Sequence, residues 1–293
     1  MNSLNSNLNT AQTIDSSISM SGSQNLGSVL AKSLFKFGSY RIGDDLPSLK
    51  VHRENYLIDR NHLNSYNAIC GFDAEKISPT YLWVLCFPLI MNILLSKKFP
   101  LRAMGQVHLR NRVSLHEPVD LHSPNLISAS VGASELTHRG LEWNIDLQIS
   151  QQDRTLWTGQ STFLYRCNTG IERVPQNKTE PPATACSWSV DRDIGRRYAS
   201  ISGDYNPIHL SALSAKLFGF KRAIAHGMWS KARCLAQLGK IVPEAGYSAE
   251  VNFRRPVFLP SEVCLGSEQS QDRHKFSLFN LSGSEVYLDG TLY

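Results

Sequence analysis

The most regular pattern in the chain is an alternation of apolar and polar residues. Between Leu141 and Ile149 every second residue is apolar, in the order Leu, Trp, Ile, Leu, Ile. Successive side chains of a β-strand point to opposite faces, so these five apolar side chains share one face. The pattern predicts a strand over 141–150 with one buried and one polar side, as in an antiparallel sheet.

The same kinds of element recur in the same order in two parts of the chain. Each part has a short helix that contains Tyr66 or Tyr198, and then a longer apolar helix, near 81–96 or 226–240. Four strands follow, at 104–114, 126–135, 141–150 and 156–166 in the first part and at 247–258, 262–271, 273–281 and 285–293 in the second. This order is typical of an α+β layer in which a helix lies across a curved antiparallel sheet.

Short sequence matches indicate that the two parts are copies of one unit. Gln106–Val119 aligns with Glu250–Val263, and Tyr66–Gly71 aligns with Tyr198–Gly203. The last strands of the two parts provide a third match in the same order. We therefore predict that the chain contains two copies of one structural unit.

Composition divides the chain into four segments. Residues 1–45 begin with a run rich in Ser and Asn and almost free of charge, which predicts a disordered tail. Residues 170–186 contain three prolines and have the composition of a linker. We predict the first repeat over 46–169 and the second over 187–293.

Overall composition excludes several classes of protein. The 293 residues are 42% hydrophobic and carry 30 Lys and Arg against 25 Asp and Glu, a net charge of +5. This mild charge suits a small anionic ligand and is too diffuse to indicate nucleic acid. The longest apolar run, Tyr81–Leu95, is shorter than the roughly 18 residues that a membrane span needs. No targeting signal is recognisable, so a cytoplasmic protein is expected, and its six cysteines, without a Cys-x-x-Cys pair, are expected to be reduced and packed.

One segment, Tyr198–Leu210, carries candidate chemistry. Asp204 and His209 stand on either side of Pro207. Proline ends a helix and biases the preceding residue, Asn206, toward an extended backbone. The loop can therefore aim the carboxylate and the imidazole at one point, where together they would activate a water molecule.

A second short segment, Ala223–Met228, completes the candidate site. His226-Gly227-Met228 begins the apolar helix. A helix N-terminus offers unpaired N–H groups and the positive end of the helix dipole. Gly227 lets a substrate carbonyl approach the backbone, whose N–H can stabilise a developing enolate oxygen.

Each of these residues also has a plainer interpretation. Gly-Asp-x-Asn-Pro forms good turns by itself, so Asp204 alone would be read as a turn residue. The presence of His209, His226 and Gly227 favours the chemical interpretation. For His226 itself, a buried, hydrogen-bonded structural role is favoured over catalysis. The other histidines show no metal-ligand spacing and are predicted at the surface: His52, His62, His108, His116, His122, His138 and His274.

The pattern Tyr-x-x-x-Ser-Gly-Asp-x-Asn-Pro-x-His, with Ala six residues after the His, resembles the signature of the MaoC-like (R)-specific enoyl-CoA hydratases, also called hydratase 2. The diagnostic motif occupies 198–228, and the resemblance extends over about 50–293. It implies a double hot-dog fold, in which each of two repeated units is a long helix wrapped by a curved antiparallel sheet.

The resemblance also implies a reaction and roles for individual residues. Asp204 and His209 would activate the water that adds to a trans-2-enoyl-CoA, or to another enoyl thioester, to give the (R)-3-hydroxyacyl product. The N–H of Gly227 would hold the thioester oxygen, and Asn206 would support the loop. Such a hydro-lyase needs no metal and no redox cofactor, because CoA or acyl-carrier phosphopantetheine arrives as part of the substrate.

The first repeat departs from the family pattern. Phe72, Ile77 and Phe87–Pro88 stand where the second repeat has its acid, its imidazole and its helix N-terminus. Proline has no N–H, so the donor is missing together with both acid–base groups. We therefore expect one active site per chain, with the first repeat as a structural partner whose surface near the junction of the repeats holds the acyl tail.

Two other functions remain open: a hot-dog thioesterase, in which water attacks C1 rather than C3, and a non-catalytic acyl-CoA-binding protein. A carboxylate and an imidazole in one loop favour the hydratase, and their presence argues against a decayed binder. A monomer or a homodimer of such double units is expected. Six basic residues would either meet the CoA phosphates or form a solvated basic face: Arg196, Arg197, Lys221, Arg222, Arg254 and Arg255.

Overall fold

The computed structural model describes residues 18–19, 36, 38–173, 180–239, 242–270 and 273–293. Most of the predicted tail over 1–45 lies outside the described residues, and so does the middle of the predicted linker over 170–186. Thr184 already belongs to a strand, so regular structure in the second half begins slightly before the predicted boundary at 187.

Six helices and eleven strands are present in the described part of the chain. The helices are α1 (Arg60–Cys70), α2 (Pro79–Leu95), α3 (Ile194–Ser202), α4 (Pro207–Leu210), α5 (Ala212–Lys216) and α6 (Gly227–Gln237). The strands are β1 (Ile18–Ser19), β2 (Lys50–Tyr56), β3 (Val107–Leu115), β4 (Asn125–Thr137), β5 (Gly140–Gln151), β6 (Arg154–Tyr165), β7 (Thr184–Val190), β8 (Tyr247–Phe253), β9 (Ser261–Ser270), β10 (Arg273–Asn280) and β11 (Val286–Leu292). No helix among these is long and apolar enough to cross a membrane.

All strands join one sheet in the order β1-β2-β4-β5-β6-β3-β8-β11-β10-β9-β7. Apart from the parallel pair β1–β2, neighbouring strands are antiparallel. The first half contributes β2-β4-β5-β6-β3, and the second half contributes β8-β11-β10-β9-β7, which is the same order read from the opposite edge. The halves meet where β3 pairs with β8, Arg110 opposite Asn252 and Leu115 opposite Tyr247. We call this pair of strands the seam.

The sequence pattern missed three strands: β1, which lies within the predicted disordered tail, and β2 and β7, which lie toward the two ends of the sheet. β2 reads Lys-Val-His-Arg-Glu-Asn-Tyr, and β7 exposes most of its side chains. A strand near a sheet edge has less buried surface, so it needs few apolar residues and shows little alternation.

The core lies between the sheet and the two long helices, α2 and α6. Twelve of the 17 residues of α2 are buried, and the helix packs against strands β2 to β6. A helix that is apolar all round belongs in the interior. Trp143 and Trp157, both fully buried, cover it from the sheet. The six cysteines are free thiols, four of them buried.

The start of α2 corrects the expected alignment of the repeats. The helix begins at Pro79 behind the cap residue Ser78, whose hydroxyl accepts a hydrogen bond from the N–H of Tyr81. Phe87–Pro88 therefore lies in the middle of α2 and not at its N-terminus. The first repeat still offers no free helix end at that point, because the chain there is already helical.

The match between Tyr66–Gly71 and Tyr198–Gly203 corresponds to the ends of two equivalent helices, α1 and α3. Each ends at a glycine with positive φ, 81° for Gly71 and 76° for Gly203, which favours glycine. The rings of Tyr66 and Tyr198 pack together with centroids 6.2 Å apart. Beyond the glycines the halves diverge: the first runs directly to α2, whereas the second inserts α4 and α5 before α6.

Candidate active site

The loop after α3 is shaped by hydrogen bonds from its own polar side chains. Oδ1 of Asp204 accepts from the N–H of Asn206 at 3.2 Å, and Oδ1 of Asn206 accepts from the N–H of Ile208 at 3.4 Å. Asn206 is extended and caps α4, with Pro207 as the first helical residue. Pro207 thus starts a helix, contrary to the expectation that it only ends one, because its missing N–H needs no partner there. The Asp204 side chain stays 26% exposed.

His209 points from α4 into the interior with a fixed tautomer. Its Nδ1 lies 2.8 Å from the carbonyl oxygen of Ile224. A carbonyl only accepts, so Nδ1 carries the proton and Nε2 keeps its lone pair. Burial lowers the pKa of His209, partly opposed by the nearby Asp204 carboxylate and the Ile224 carbonyl. The ring is therefore suited to act as a neutral base through Nε2.

His226 anchors the loop to the start of α6. Its Nε2 donates to the backbone oxygen of Asp204 at 2.9 Å and lies 3.9 Å from the Asp204 Oδ2. The His226 ring stacks on His209 with centroids 3.7 Å apart. Burial and the neighbouring His209 hold the pKa of His226 well below its ordinary value. These contacts agree with the structural role favoured for this residue.

Three polar groups converge at the end of this loop. A carboxylate oxygen of Asp204 and one ring nitrogen each of His209 and His226 all lie within 4.8 Å of one another. A water molecule that makes two hydrogen bonds of about 2.8 Å can bridge atoms up to roughly 5.6 Å apart. The Asp204 carboxylate and the His209 ring are therefore close enough to share one water.

The same three side chains form a donor set of the kind that divalent cations take. The two imidazoles, however, are stacked with only 26° between their planes. Nδ1 of His209 and Nε2 of His226 are also already used as donors to the backbone carbonyls of Ile224 and Asp204. The arrangement fits a shared water better than a coordinated metal.

Gly227 occupies the first position of α6, as expected. The first intrahelical hydrogen bond runs from the N–H of Ser230 to the carbonyl of His226, so the N–H of Gly227 belongs to the unpaired first turn. A Cβ at Gly227 would lie 2.9 Å from the ring of Phe253. Glycine is required here because an aromatic ring packs on the backbone, a reason that the sequence did not reveal.

His108 of the first half is half-buried in an aromatic cluster, so its predicted surface position is wrong. Its ring packs on Phe163, Phe253 and Trp83, with centroids 4.7, 4.9 and 6.0 Å away. The Nε2 atom is buried and has no hydrogen-bond partner among the described residues. Burial, reinforced by the positive charge of Lys231, lowers the pKa of His108 to about 3. The only sequence signal for this position was the alignment of the two repeats, which pairs His108 with Asn252 of the other seam strand.

His62 is also misplaced by the sequence analysis. Its ring nitrogens contact the hydroxyl of Tyr81 at 3.1 Å and the carbonyl of Ile201 at 2.8 Å. It therefore links α1 of the first half to α3, the helix that leads into the loop of Asp204 and His209.

Two further residues near the site escaped the sequence analysis. A Cβ on Gly195 would come 2.0 Å from the carbonyl oxygen of His209, so α3 packs directly on the backbone of α4. Lys231 of α6 is fully buried, and its Nζ contacts the Asn111 Oδ1 at 2.6 Å, the Asn111 oxygen at 3.1 Å and the Ala249 oxygen at 2.8 Å. The role of each residue depends on contacts with residues elsewhere in the sequence.

The first repeat replaces the chemical groups by apolar contacts. Phe72 stacks on Tyr66 with centroids 6.4 Å apart. Phe87 reaches across to the second half, where its ring would lie 3.7 Å from a Cβ on Gly203. The first repeat thus supplies walls to the site of the second.

Several of the basic residues considered for CoA phosphates are already paired. Arg197 lies near Asp191 and Asp193, Arg254 pairs with Asp289, and Arg255 lies 3.2 Å from Glu285. The guanidinium of Arg222 instead sits over the ring of Phe258, and no carboxylate is paired with it among the described residues.

Comparison with known proteins gives a consistent result. A family model described as a MaoC like domain matches residues 172–283. The chain is 31% identical over 257 residues to 3-hydroxyacyl-thioester dehydratase X of Mycobacterium tuberculosis, a match that covers 85% of this chain and 90% of that protein. It is 35% identical over 69 residues to the (R)-specific enoyl-CoA hydratase of Aeromonas caviae, covering 22% of this chain and 52% of that protein. The crystal structure of HtdX from Mycobacterium tuberculosis matches with a TM-score of 0.73 and 28% identity, over 83% of this chain and 98% of that one.

Proposed function

The chain belongs to the MaoC-like dehydratase family and is a hydro-lyase, and from this membership we propose that it reversibly hydrates a trans-2-enoyl thioester to the (R)-3-hydroxyacyl thioester. The observation that carries the proposal is the convergence of the Asp204 carboxylate with a His209 ring whose Nε2 is free to accept a proton. The name of the Aeromonas caviae relative supports the (R) product.

The proposed reaction begins with a water held between Asp204 and His209. Nε2 of His209 takes a proton from this water while its oxygen adds to C3 of the enoyl group. Electron density then moves to the thioester oxygen, where the N–H of Gly227, at the positive end of α6, stabilises the enolate. The proton returns from His209 to C2, which restores the neutral imidazole. These steps use side chains, backbone and water, and no metal or redox cofactor enters them.

The remaining site residues would position these groups. His226 fixes the backbone of Asp204, and Asn206 caps the helix that carries His209. His108 and the rings around it, from both sides of the seam, would form the wall along which the acyl chain lies. CoA or phosphopantetheine would enter as part of the substrate.

We further infer that the fold is a double hot-dog. The repeated strand order and the equivalent glycine-terminated helices α1 and α3 support this inference. The second unit carries the chemistry because only it has the inserted α4 and α5 segment. The first unit would then be the second member of the pair of hot-dog units that one active site requires.

The test uses crotonyl-CoA and two variants of the site. Asp204→Asn and His209→Ala should each lower turnover at least about a hundredfold, the usual scale for a general acid–base group. Asp73→Asn is the matched control, because Asp73 is exposed and follows Gly71 in the equivalent loop of the first repeat. It should leave turnover unchanged.

The same assay separates the other two functions. Loss of the enoyl absorbance without free thiol indicates hydration, whereas release of free thiol indicates a thioesterase. No change in either signal would indicate a non-catalytic binder. Near-wild-type hydration by Asp204→Asn or His209→Ala would refute the proposed roles.

A further inference from the structure

The segment between the two parts of the active site projects from it as a closed loop. The N–H of Ile224 donates to the carbonyl of Ile208 at 3.1 Å, and Nδ1 of His209 donates to the carbonyl of Ile224 at 2.8 Å. The chain therefore leaves the site after His209 and returns to it before His226. Residues 211–222, which include α5, lie between these points, and we call them the rim segment.

The rim segment exposes an unusual amount of apolar surface. Leu213 is 76% exposed, Leu217 81% and Phe218 37%, and no other large apolar side chain in the described part is as exposed as the two leucines. Ala215 between them is buried and anchors the segment. Clustered apolar side chains at a surface mark sites of interaction. We call Leu213, Leu217 and Phe218 the rim patch.

The charge around the rim patch has one sign. Lys216, Lys221 and Arg222 belong to the same segment, which contains no Asp or Glu. In the described structure none of these three cations forms an ion pair with a carboxylate, whereas Arg254 and Arg255 are paired. A complementary partner therefore presents both apolar side chains and carboxylates.

We propose that the rim patch and its lysines are the docking surface for an acidic carrier protein that presents the enoyl group on a phosphopantetheine arm. This inference rests on the proposed function and specifies the form in which the substrate arrives. Free CoA ends in a phosphorylated nucleotide, which can use the cations but leaves three apolar side chains uncovered. A carrier protein covers both kinds of surface, and its arm enters beside the loop that holds His209.

The test compares one acyl group on two carriers of different size. The two substrates are crotonyl-pantetheine and a crotonyl-loaded acidic acyl carrier protein. Hydration of each is measured for the wild type and for two double variants. One combines Leu213→Ser with Leu217→Ser, and the other combines Lys216→Glu with Lys221→Glu. We expect kcat/KM for the carrier substrate to fall at least about tenfold, mainly through a higher KM. This is the size of effect expected when important interface residues are replaced. We expect crotonyl-pantetheine to be hydrated at an unchanged rate. Leu281→Ser, at another exposed leucine, is the matched control.

Salt and direct binding provide independent readouts. Added salt should slow the reaction of the carrier substrate and leave crotonyl-pantetheine unaffected, because only docking depends on complementary charge. Titration calorimetry with the phosphopantetheine-bearing carrier should show weaker binding to both double variants. This binding measurement does not depend on turnover.

Each contrary result identifies what has failed. Equal losses on both substrates, no loss on the carrier substrate, or unchanged carrier binding would overturn the docking proposal. If the leucine variant changes only the oligomeric state in sedimentation, the patch is an interface between copies of this chain, and the proposal is overturned. If the wild type hydrates neither substrate, the proposed function fails, and the calorimetry alone decides the docking surface.

Discussion

At the scale of single residues, the neighbours of a side chain decide its chemistry. His209 and His226 are both buried imidazoles, yet one keeps Nε2 free while the other uses Nε2 to hold the backbone of Asp204. The sequence predicted the carboxylate, both histidines and Gly227, because they occupy two short segments with fixed spacing. It did not reveal Gly195 and misplaced His108, because their importance depends on contacts with distant parts of the chain.

Gly195 provides a direct test of this dependence. In Gly195→Ala, the new Cβ would lie 2.0 Å from the carbonyl oxygen of His209, so the backbone of α4 must move. Misplacing a catalytic group by about 1 Å costs on the order of a hundredfold in rate, so we expect turnover of crotonyl-CoA to fall by about that factor. Ser200→Ala, on the exposed side of the same helix, should have no effect. A Gly195→Ala enzyme with normal turnover would show that the close packing of α3 on α4 is unimportant.

At the scale of elements, the accuracy of a prediction depends both on the local sequence pattern and on where the element lies in the fold. Strand β5 was predicted within one residue at each end because both its alternation and its burial are strong, whereas β8, predicted to reach residue 258, ends at Phe253. The outer strands β2 and β7 were missed because a strand near the sheet edge has little apolar surface. The alignment of the repeats shows a different failure: it set Phe87–Pro88 opposite the N-terminus of α6, whereas α2 begins at Pro79 and continues through Pro88.

The seam between the halves contains the buried amine of Lys231, whose pKa is held well below its ordinary value by burial, and its contribution to stability can be measured. Asn111 of β3 supplies two of the three oxygens around Nζ of Lys231, and Ala249 of β8 supplies the third. Asn111→Leu removes the side-chain acceptor and leaves a buried donor of Lys231 unsatisfied, so we expect the free energy of unfolding to fall by about 2 kcal/mol. Adding Lys231→Met should recover part of this loss, because the unpaired amine is gone. Additive losses in denaturant unfolding would show that the two side chains do not interact.

At the scale of the whole molecule, buried imidazoles make stability depend on pH. The pKa values of His108, His209 and His226 are all lowered by burial, so below about pH 6.5 the unfolded chain binds protons that the folded protein does not. Stability should therefore be fully present above that pH and should decline as the pH falls. Each such group contributes up to about 1.4 kcal/mol per pH unit.

His108→Phe tests this account, because phenylalanine fits an aromatic cluster and cannot bind a proton. Since the pKa of His108 in the folded protein is about 3, the wild type should lose stability through its protonation in the unfolded state between pH 6.5 and 3. The variant should show a shallower decline of melting temperature with falling pH. His138→Ala, at an exposed turn, should keep the wild-type slope. An unchanged slope in His108→Phe would place its imidazole in contact with water.

The molecule combines two similar halves, and we propose that the second half alone carries the chemistry and forms an (R) product. The most direct measurement is chiral chromatography of the product formed from crotonyl-CoA by the wild type and by Asp204→Asn. We expect (R)-3-hydroxybutyryl-CoA and no free CoA thiol from the wild type, and almost no product from the variant. Formation of the (S) product, release of free thiol, or equal product from Asp204→Asn would contradict this proposal.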